Sequence, residues 1–297
     1  MSFLRAVEVW IPQGSYLLRS STASLSDSAP HDSALSPLLH RGEGLAGAAF
    51  STGRAQLRAG EALGMPGYQS ALALPFFAGS TLMAVSVLYC GGESEVGCVE
   101  VWEPNQLREL AHIAGYYGSF SAFERLSQVM RFQSGSGIPG LTWQRGMPLI
   151  SADLSTSSSF LRAAAARELG IRSALSVPLF RSGSLNAVAL FMATATSPLA
   201  PAVEIWMADA QQHLHISQSL YAPDLAAFEQ NNRCVEFLPG QGLVGKVFDT
   251  GLPLALSRKN GETFSGHVGA AEAGLSLAVG LPVHDGQRVR AVVTLLA

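Results

Sequence analysis

Gly170-Ile171-Arg172-Ser173-Ala174-Leu175-Ser176-Val177-Pro178-Leu179-Phe180 is the stretch that decides the fold, and a second apolar run, 185–192, follows it after a polar turn. Two apolar runs joined by a short turn that contains glycine predict a β-hairpin. The run before it, 158–169, is rich in alanine and lacks Gly and Pro, which predicts a helix ending at Gly170. Similar hairpins occur at 68–77 and 275–283, so that a proline recurs at intervals of roughly 100 residues. The sequence therefore predicts one module written three times.

Each copy begins with the same four-residue signature. It is Val-Glu-Val-Trp at 7–10 and 99–102, and Val-Glu-Ile-Trp at 203–206. Side chains alternate across a strand, so the aliphatic residues share one face while Glu and Trp share the other. A second strand is predicted to return in each copy, which makes an antiparallel pair. These second strands are predicted at 16–20, 107–114 and 213–217.

A Gly-x-x-Gly motif follows in each copy, at 44–47, 137–140 and 242–245. A further glycine six residues later predicts a short helix, which is followed by a strand at 55–58, 148–151 or 253–256. The motif lacks the Lys-Ser/Thr of a P-loop and the third glycine of a dinucleotide fingerprint. We therefore expect tight packing of these glycines rather than phosphate binding.

The segments around these motifs differ among the copies. Apolar spacing predicts helices at 119–132 and 224–232, whereas 24–40, rich in serine and interrupted by prolines, is predicted to be a loop. Crossover helices are predicted at 158–169 and 269–273, and the first copy has room only for a short crossover.

Composition limits the classes of function. Of the 297 residues, 14% are charged and 48% hydrophobic, and the net charge is −3. Little charge implies that much surface is buried, and no basic run suggests nucleic-acid binding. The uncharged run Ser70 to Gly92 could pass for a membrane span, but a hairpin explains all three copies. Without a signal peptide pattern, and with an odd number of cysteines, we expect a cytoplasmic protein with reduced thiols.

The order of strand pair, variable helical stretch, Gly-x-x-Gly helix, strand, crossover and Ser-Ala-Leu-x-x-Pro hairpin resembles the GAF domain. The second copy matches best, through 137–140, 146–149 and 170–178, and the first is the most eroded. The resemblance implies a central antiparallel sheet of about five or six strands, helices on both faces and a ligand cavity. The predicted fold class is α+β, three tandem GAF-like modules at 1–92, 97–196 and 201–297.

The chain departs from the GAF pattern between the copies. GAF domains carry terminal helices that cover the back of the sheet, whereas here the last strand of one copy leads almost directly into the next. Exposed apolar faces of that size are rarely left open. We therefore expect the sheets to pack back to back, either with each other or with a second chain, which makes a homodimer or a partner protein an expectation.

Candidate catalytic and metal-binding residues are few. Cys90, Cys98 and Cys234 fall in different parts of the chain, so the methionine sulfoxide reductase activity of one GAF lineage is not expected. His213 and His215 share one face of a predicted strand, with His112 as the counterpart of His215, and a set of two His is incomplete for zinc. No metal site, cyclic-nucleotide signature or hydrolytic triad is therefore predicted, and any cofactor is unknown.

A cavity in the second copy is the candidate ligand site, because small-molecule sites are apolar with a few polar groups. Its expected lining, with the arginines near the mouth, is Phe120, Phe123, Met130, Trp143, Arg145, Phe160, Arg162 and Arg172. The predicted function is a non-enzymatic sensor for signal transduction, whose modules bind a small molecule or mediate dimerisation. The alternative is a structural scaffold without a ligand, and a redox enzyme ranks third.

Overall fold

The computed structural model describes residues 2–25, 36–92 and 94–297, whose strands form three antiparallel sheets. The first sheet contains Leu4–Gln13 (β1), Tyr16–Ser24 (β2), Leu38–His40 (β3), Gln56–Ala59 (β4), Ser70–Ala78 (β5) and Thr81–Cys90 (β6). The second contains Gly97–Pro104 (β7), Leu110–Tyr116 (β8), Arg131–Phe132 (β9), Leu149–Ser151 (β10), Ile171–Arg181 (β11) and Ser184–Thr194 (β12). The third contains Ala202–Ala208 (β13), Leu214–Tyr221 (β14), Leu254–Ser257 (β15), Leu277–Asp285 (β16) and Arg288–Leu296 (β17).

The five shared strands follow the same order in all three sheets, and the first two sheets have a sixth strand at one edge, β3 or β9. The order is β3-β2-β1-β6-β5-β4 in the first, β9-β8-β7-β12-β11-β10 in the second and β14-β13-β17-β16-β15 in the third. The signature strand is central in each sheet and pairs antiparallel with the strand after it and with the last strand of the hairpin. The predicted strand pairs and hairpins are thus present in every sheet.

Six α-helices occur in the described part of the chain. They are Gly44–Thr52 (α1), Ser121–Val129 (α2), Gly137–Arg145 (α3), Ala163–Leu169 (α4), Ala226–Asn232 (α5) and Gly242–Thr250 (α6). The Gly-x-x-Gly motif forms the helices α1, α3 and α6, and each ends at a left-handed glycine. A Cβ on the second motif glycine would lie 2.1 Å from the Gln133 carbonyl oxygen at Gly140 and 2.0 Å from that of Leu238 at Gly245. These glycines are therefore required by close packing, as expected.

Several local expectations need correction. The crossover helix begins at Ala163 rather than 158, and the predicted helix 269–273 is a series of turns. The chain is mostly β rather than α+β, and the helices among its described residues pack on one face of each sheet. Of the predicted loop 24–40, residues 26–35 lie outside the described residues and 38–40 form β3.

The other faces of the three sheets share one hydrophobic core. The aliphatic signature residues all point into it: Val7, Val9, Val99, Val101, Val203 and Ile205. The hairpin strands β5, β11 and β16 also contact one another there. The back faces are thus covered by the chain itself, which is the first of the two arrangements expected. The physical reason for a second chain on these faces is removed.

The hairpin turns of the three sheets meet at one end of this core. The Ser182 amide donates to the Gly79 carbonyl, and the Gly79 amide donates to the Gly286 carbonyl, both at 2.7 Å. Elsewhere, the Phe3 and Leu4 amides donate to the carbonyls of Pro198 and Leu199. Backbone hydrogen bonds therefore tie the three sheets together.

The uncharged run that resembled a membrane span forms β5 and β6. In the described residues, none of the helices has the length and apolar character that crossing a membrane needs.

Candidate functional site

A buried glutamate lies on the outer face of each sheet, under the helices. Glu8, Glu100 and Glu204 are at most 1% exposed. In each signature the tryptophan indole Nε1 donates to the carboxylate two residues earlier, at 3.1, 2.9 and 2.9 Å in chain order. A buried carboxylate needs compensating charge or hydrogen bonds, and the three sheets supply these differently.

In the second sheet, the compensating group is Arg162. Its guanidinium contacts both oxygens of Glu100, and its Nη1 also donates to Ser127 Oγ. The Tyr117 hydroxyl donates to Glu100 at 3.0 Å. Arg162 comes from the turns before α4, 62 positions from its partner. The crossover segment therefore places the Arg162 guanidinium against the central strand of the sheet.

The protonation states follow from this arrangement. Burial alone would raise the pKa of Glu100, but the charge and hydrogen bonds of Arg162 hold that pKa below its ordinary value. Burial and the nearby carboxylate raise the pKa of the Tyr117 hydroxyl. At neutral pH the site is therefore a carboxylate–guanidinium pair with a neutral phenol. Arg162 Nε is buried without a hydrogen-bond partner among the described residues.

The predicted cavity residues separate into two groups. The rings of Phe123 and Phe160 lie 4.6 and 5.0 Å from the Arg162 guanidinium, while Phe120, Met130 and Trp143 are partly buried around the same cluster. Arg162 is 2% exposed, so it lies in the interior and not at a mouth. Arg145 and Arg172 are both exposed. Arg162, Phe123 and Phe160 are thus buried together in the second copy, whereas Arg145 and Arg172 lie at its surface.

Sequence analysis missed the partners Glu100, Tyr117 and Ser127. The available signal was the glutamate that recurs at one position of all three signatures, on the face that carries the tryptophan. A charged residue repeated beside a core tryptophan indicates a buried polar group. Its partner could not be identified, because Arg162 is distant in sequence and belongs to a variable segment.

In the third sheet, His267 takes the place of Arg162. Its Nε2 lies 3.2 Å from Glu204 Oε2, while Tyr221 and Thr294 hydroxyls donate to the same carboxylate at 2.7 Å. Burial would raise the pKa of Glu204, but the hydrogen bond and charge of His267 keep it below its ordinary value. In the first sheet, Glu8 accepts from Tyr89 at 3.0 Å and lies 3.5 Å from Arg19.

A cavity of about 290 Å³ lies between the second and third sheets, on the side of the shared core. Arg172 lines it, so this predicted site residue borders a cavity other than the predicted one. The polypeptide that connects the two sheets forms one wall, through Thr194, Pro198 and Leu199. The apolar remainder includes Ile150, Ala174, Leu175, Phe191, Val203 and Leu220.

All three cysteines are free thiols, and they differ in exposure. Cys90 and Cys98 are buried, and burial raises the pKa of both thiols. Cys234 is exposed and belongs to the third segment. Since the thiolate is the nucleophile, a raised pKa opposes the attack that a reductase needs.

Comparisons with known proteins give similar solved structures only. No family model and no curated protein matches the sequence. One similar structure is the GAF domain of A. aeolicus nlh2 in an inactive state, at 22% identity, covering 33% of this chain and 58% of that chain, with a TM-score of 0.28. Another is the GAF domain/HD domain protein from Geobacter sulfurreducens, at 16% identity. The match covers 34% of this chain and 65% of that chain, with a TM-score of 0.29.

A third similar structure is the free methionine-R-sulfoxide reductase from Neisseria meningitidis in complex with its substrate, at 19% identity, covering 33% of this chain and 51% of that chain, with a TM-score of 0.26. The chain thus spans between half and two thirds of the length of these structures. Similarities at these TM-scores decide neither fold nor function. The description of the fold therefore depends on the strand order and the side-chain contacts. They define a mostly β protein of three antiparallel sheets. The solved structures similar to it include GAF domains, the family that its sequence resembles.

Proposed function

We propose that this chain is a non-enzymatic regulatory protein built from three GAF-like modules, and that it senses a small, mainly apolar anion. The observation that carries the proposal is the 290 Å³ apolar cavity between the second and third sheets, with Arg172 in its lining. Pockets of roughly 300 Å³ or more with few polar groups are typical of small-molecule sites. The interior of the second module is a weaker candidate, because Arg162, Phe123 and Phe160 are buried in it.

The position of the cavity suggests how binding is signalled. Leu175 and Phe191 come from the second sheet, Val203 and Leu220 from the third, and Leu199 from the polypeptide between them. A ligand that contacts all three parts is bound more tightly when they are held in one arrangement, so binding shifts the population toward that arrangement. Signalling to a partner protein and a cytoplasmic location are further parts of the proposal, as is dimerisation through a surface other than the back faces that the chain itself covers.

Arg172 provides the selectivity for an anion. Its guanidinium lies 3.3 Å from Asp153, and 59% of the Arg172 side chain is exposed. A weak surface pair of this kind is worth at most about 1 kcal/mol, so a ligand carboxylate or sulfonate can compete with Asp153 for the guanidinium.

The test uses 8-anilinonaphthalene-1-sulfonate, an apolar anion that fluoresces when it leaves water. We expect saturable binding of one probe per chain. Ala152→Trp, at an exposed position of the cavity lining, should weaken binding at least tenfold, and Arg172→Ala about fivefold. Arg145→Ala removes an exposed arginine outside this cavity and should change nothing. Equal probe affinity in the unsubstituted chain and all three variants would overturn the proposed binding site.

The second candidate function is a scaffold without a ligand. The buried hydrophobic cluster inside the second module and the core shared by three sheets favour it. Native mass spectrometry separates the two functions, because a co-purified small molecule supports the sensor, whereas a ligand-free chain that also fails to bind the probe supports the scaffold. The redox enzyme ranks last, since Cys90 and Cys98 are buried.

A further inference from the structure

The third module carries a cluster of metal-binding side chains on its surface, remote from the cavity. Potential ligand atoms of Asp209, His213 and His215 all lie within 4.8 Å of one another. The Glu236 carboxylate contacts both imidazoles, with Oε2 3.4 Å from His213 Nδ1 and Oε1 3.6 Å from His215 Nδ1. Two imidazoles and two carboxylates thus converge at one place.

The local backbone fixes these side chains. Asp209 Oδ1 accepts the amides of Gln211 and His213, both at 2.9 Å, which leaves Oδ2 facing His215 Nε2 at 3.2 Å. Glu236 is held by its neighbour Phe237, which is fully buried and exchanges backbone hydrogen bonds with Leu214. Since Leu214 stands between the two histidines, this bridge places Glu236 beside both of them.

The equivalent position of the second module has the same backbone but different side chains. Asn105 Oδ1 accepts the amides of Leu107 and Glu109, as Asp209 Oδ1 accepts those of Gln211 and His213. Leu110 pairs with Phe132, as Leu214 pairs with Phe237. The residue before Phe132 is Arg131, where the third module has Glu236. The shared turn therefore does not account for the histidines and carboxylates of the third module.

The register also corrects the sequence-based pairing of histidines. Trp102 lies opposite His112, whereas Trp206 lies opposite Ile216. His112 is therefore the counterpart of Ile216 and not of His215. It lies against Trp102 and Tyr117, and the equivalent of His215 is Ala111. The set is also not limited to two His, because Asp209 lies with them.

We propose that Asp209, His213 and His215 bind a divalent transition-metal ion of the zinc type, and that Glu236 orients the two imidazoles. Tetrahedral zinc with bonds of 2.0–2.1 Å places its ligand atoms about 3.3 Å apart, which side-chain rotations can reach from the present spacing. Imidazole and carboxylate together favour Zn²⁺, Co²⁺ or Ni²⁺ over Mg²⁺. Carboxylates that hydrogen-bond to ligating histidines are a usual part of such sites.

Electrostatics and access agree with this site. About 42% of each imidazole, 36% of Asp209 and 53% of Glu236 is exposed, so an ion can reach them. Two carboxylates beside the two imidazoles provide negative charge that a divalent cation offsets.

The test titrates the EDTA-treated chain of 297 residues with Co²⁺, followed by visible absorption, and with Zn²⁺ against a chromogenic chelator. We expect one ion per chain, with His213→Ala and His215→Ala each weakening binding at least 50-fold. Glu236→Gln should weaken it about tenfold, as outer-shell partners do. His40→Ala removes an exposed imidazole elsewhere and should leave binding unchanged.

Circular dichroism checks whether each variant is folded. We expect all of them to fold, because the substituted side chains are at least partly exposed. Absence of stoichiometric Co²⁺ and Zn²⁺ binding would overturn the proposal. Binding that survives in both histidine variants would also overturn it, because the ion would then lie elsewhere. Probe binding in the cavity is measured separately, so either proposal can fail without the other.

Discussion

The Arg162 guanidinium lies against both carboxylate oxygens of Glu100, with Nη2 2.9 Å from Oε2, and neither side chain exposes more than 1% of its surface. Both charges are thus removed from water at the centre of the second module. Forming such a pair adds little net stability, but removing one partner leaves an uncompensated buried charge. The pair therefore fixes which side chain of the crossover faces the sheet.

Arg162→Met should lower the free energy of unfolding by about 3–5 kcal/mol, because Glu100 remains buried without its cation. Urea denaturation measures this loss. The matched control is Arg172→Met, whose partner Asp153 is partly exposed, and it should cost at most about 1 kcal/mol. The double change Glu100→Gln with Arg162→Met should recover part of the loss. Similar stabilities of the two single variants would contradict the buried pair.

Acid should destabilise the protein through its buried carboxylates. The folded pKa values of Glu100 and Glu204 lie below the ordinary value, so both groups contribute stability above their unfolded pKa of about 4.3. That contribution is lost as the pH falls through the folded pKa. We expect the urea midpoint to fall steeply below about pH 4, and less steeply in the double variant Glu100→Gln with Arg162→Met. The same pH dependence of the urea midpoint in both proteins would argue against an ionised Glu100 in the folded state.

Gly140→Ala should be strongly destabilising, because a Cβ would lie 2.1 Å from the Gln133 carbonyl oxygen. Backbone cannot yield as a flexible side chain can, so we expect a loss of about 2 kcal/mol or more. Gly183→Ala is the comparison, since its site is open and only the positive φ of 75° causes strain. That strain is worth about 1–2 kcal/mol. A smaller loss at Gly140 than at Gly183 would contradict close packing of the motif.

Thiol titration should distinguish the three cysteines. With a disulfide reagent at pH 8, Cys234 should react within minutes because it is exposed. Cys90 and Cys98 should react only after denaturation, because burial raises the pKa of both thiols. In Cys234→Ser the rapid phase should disappear. Two rapidly reacting thiols in the native protein would instead support a redox enzyme as the function.

The isolated segment 97–196 should not fold cooperatively, although it contains a complete sheet. Its face with Val99, Val101 and Val177 is buried against the other two sheets and would be exposed to water. Near-ultraviolet circular dichroism and the sharpness of the urea transition measure this. A well-packed, cooperatively unfolding segment would instead support independent domains with the predicted boundaries.

The sequence alone determined the hairpins, the antiparallel strand pairs and the two faces of each signature strand. These features depend on residues that are close in the chain, where the alternation of Val with Glu and Trp and the turn glycines act directly. The length of the crossover helix was less well determined, because its first turns are held by Arg162 binding to Glu100 rather than by helix propensity.

Only the tertiary structure decided which surfaces and charges meet. Glu100 and Arg162 are 62 positions apart, and Phe3 and Pro198 come from opposite parts of the chain. Packing three apolar back faces together leaves a cavity between two of them, and the β-bridge at Leu214 brings Glu236 to the two histidines. Such contacts result from the minimisation of exposed apolar surface over the whole chain, and no local pattern encodes them.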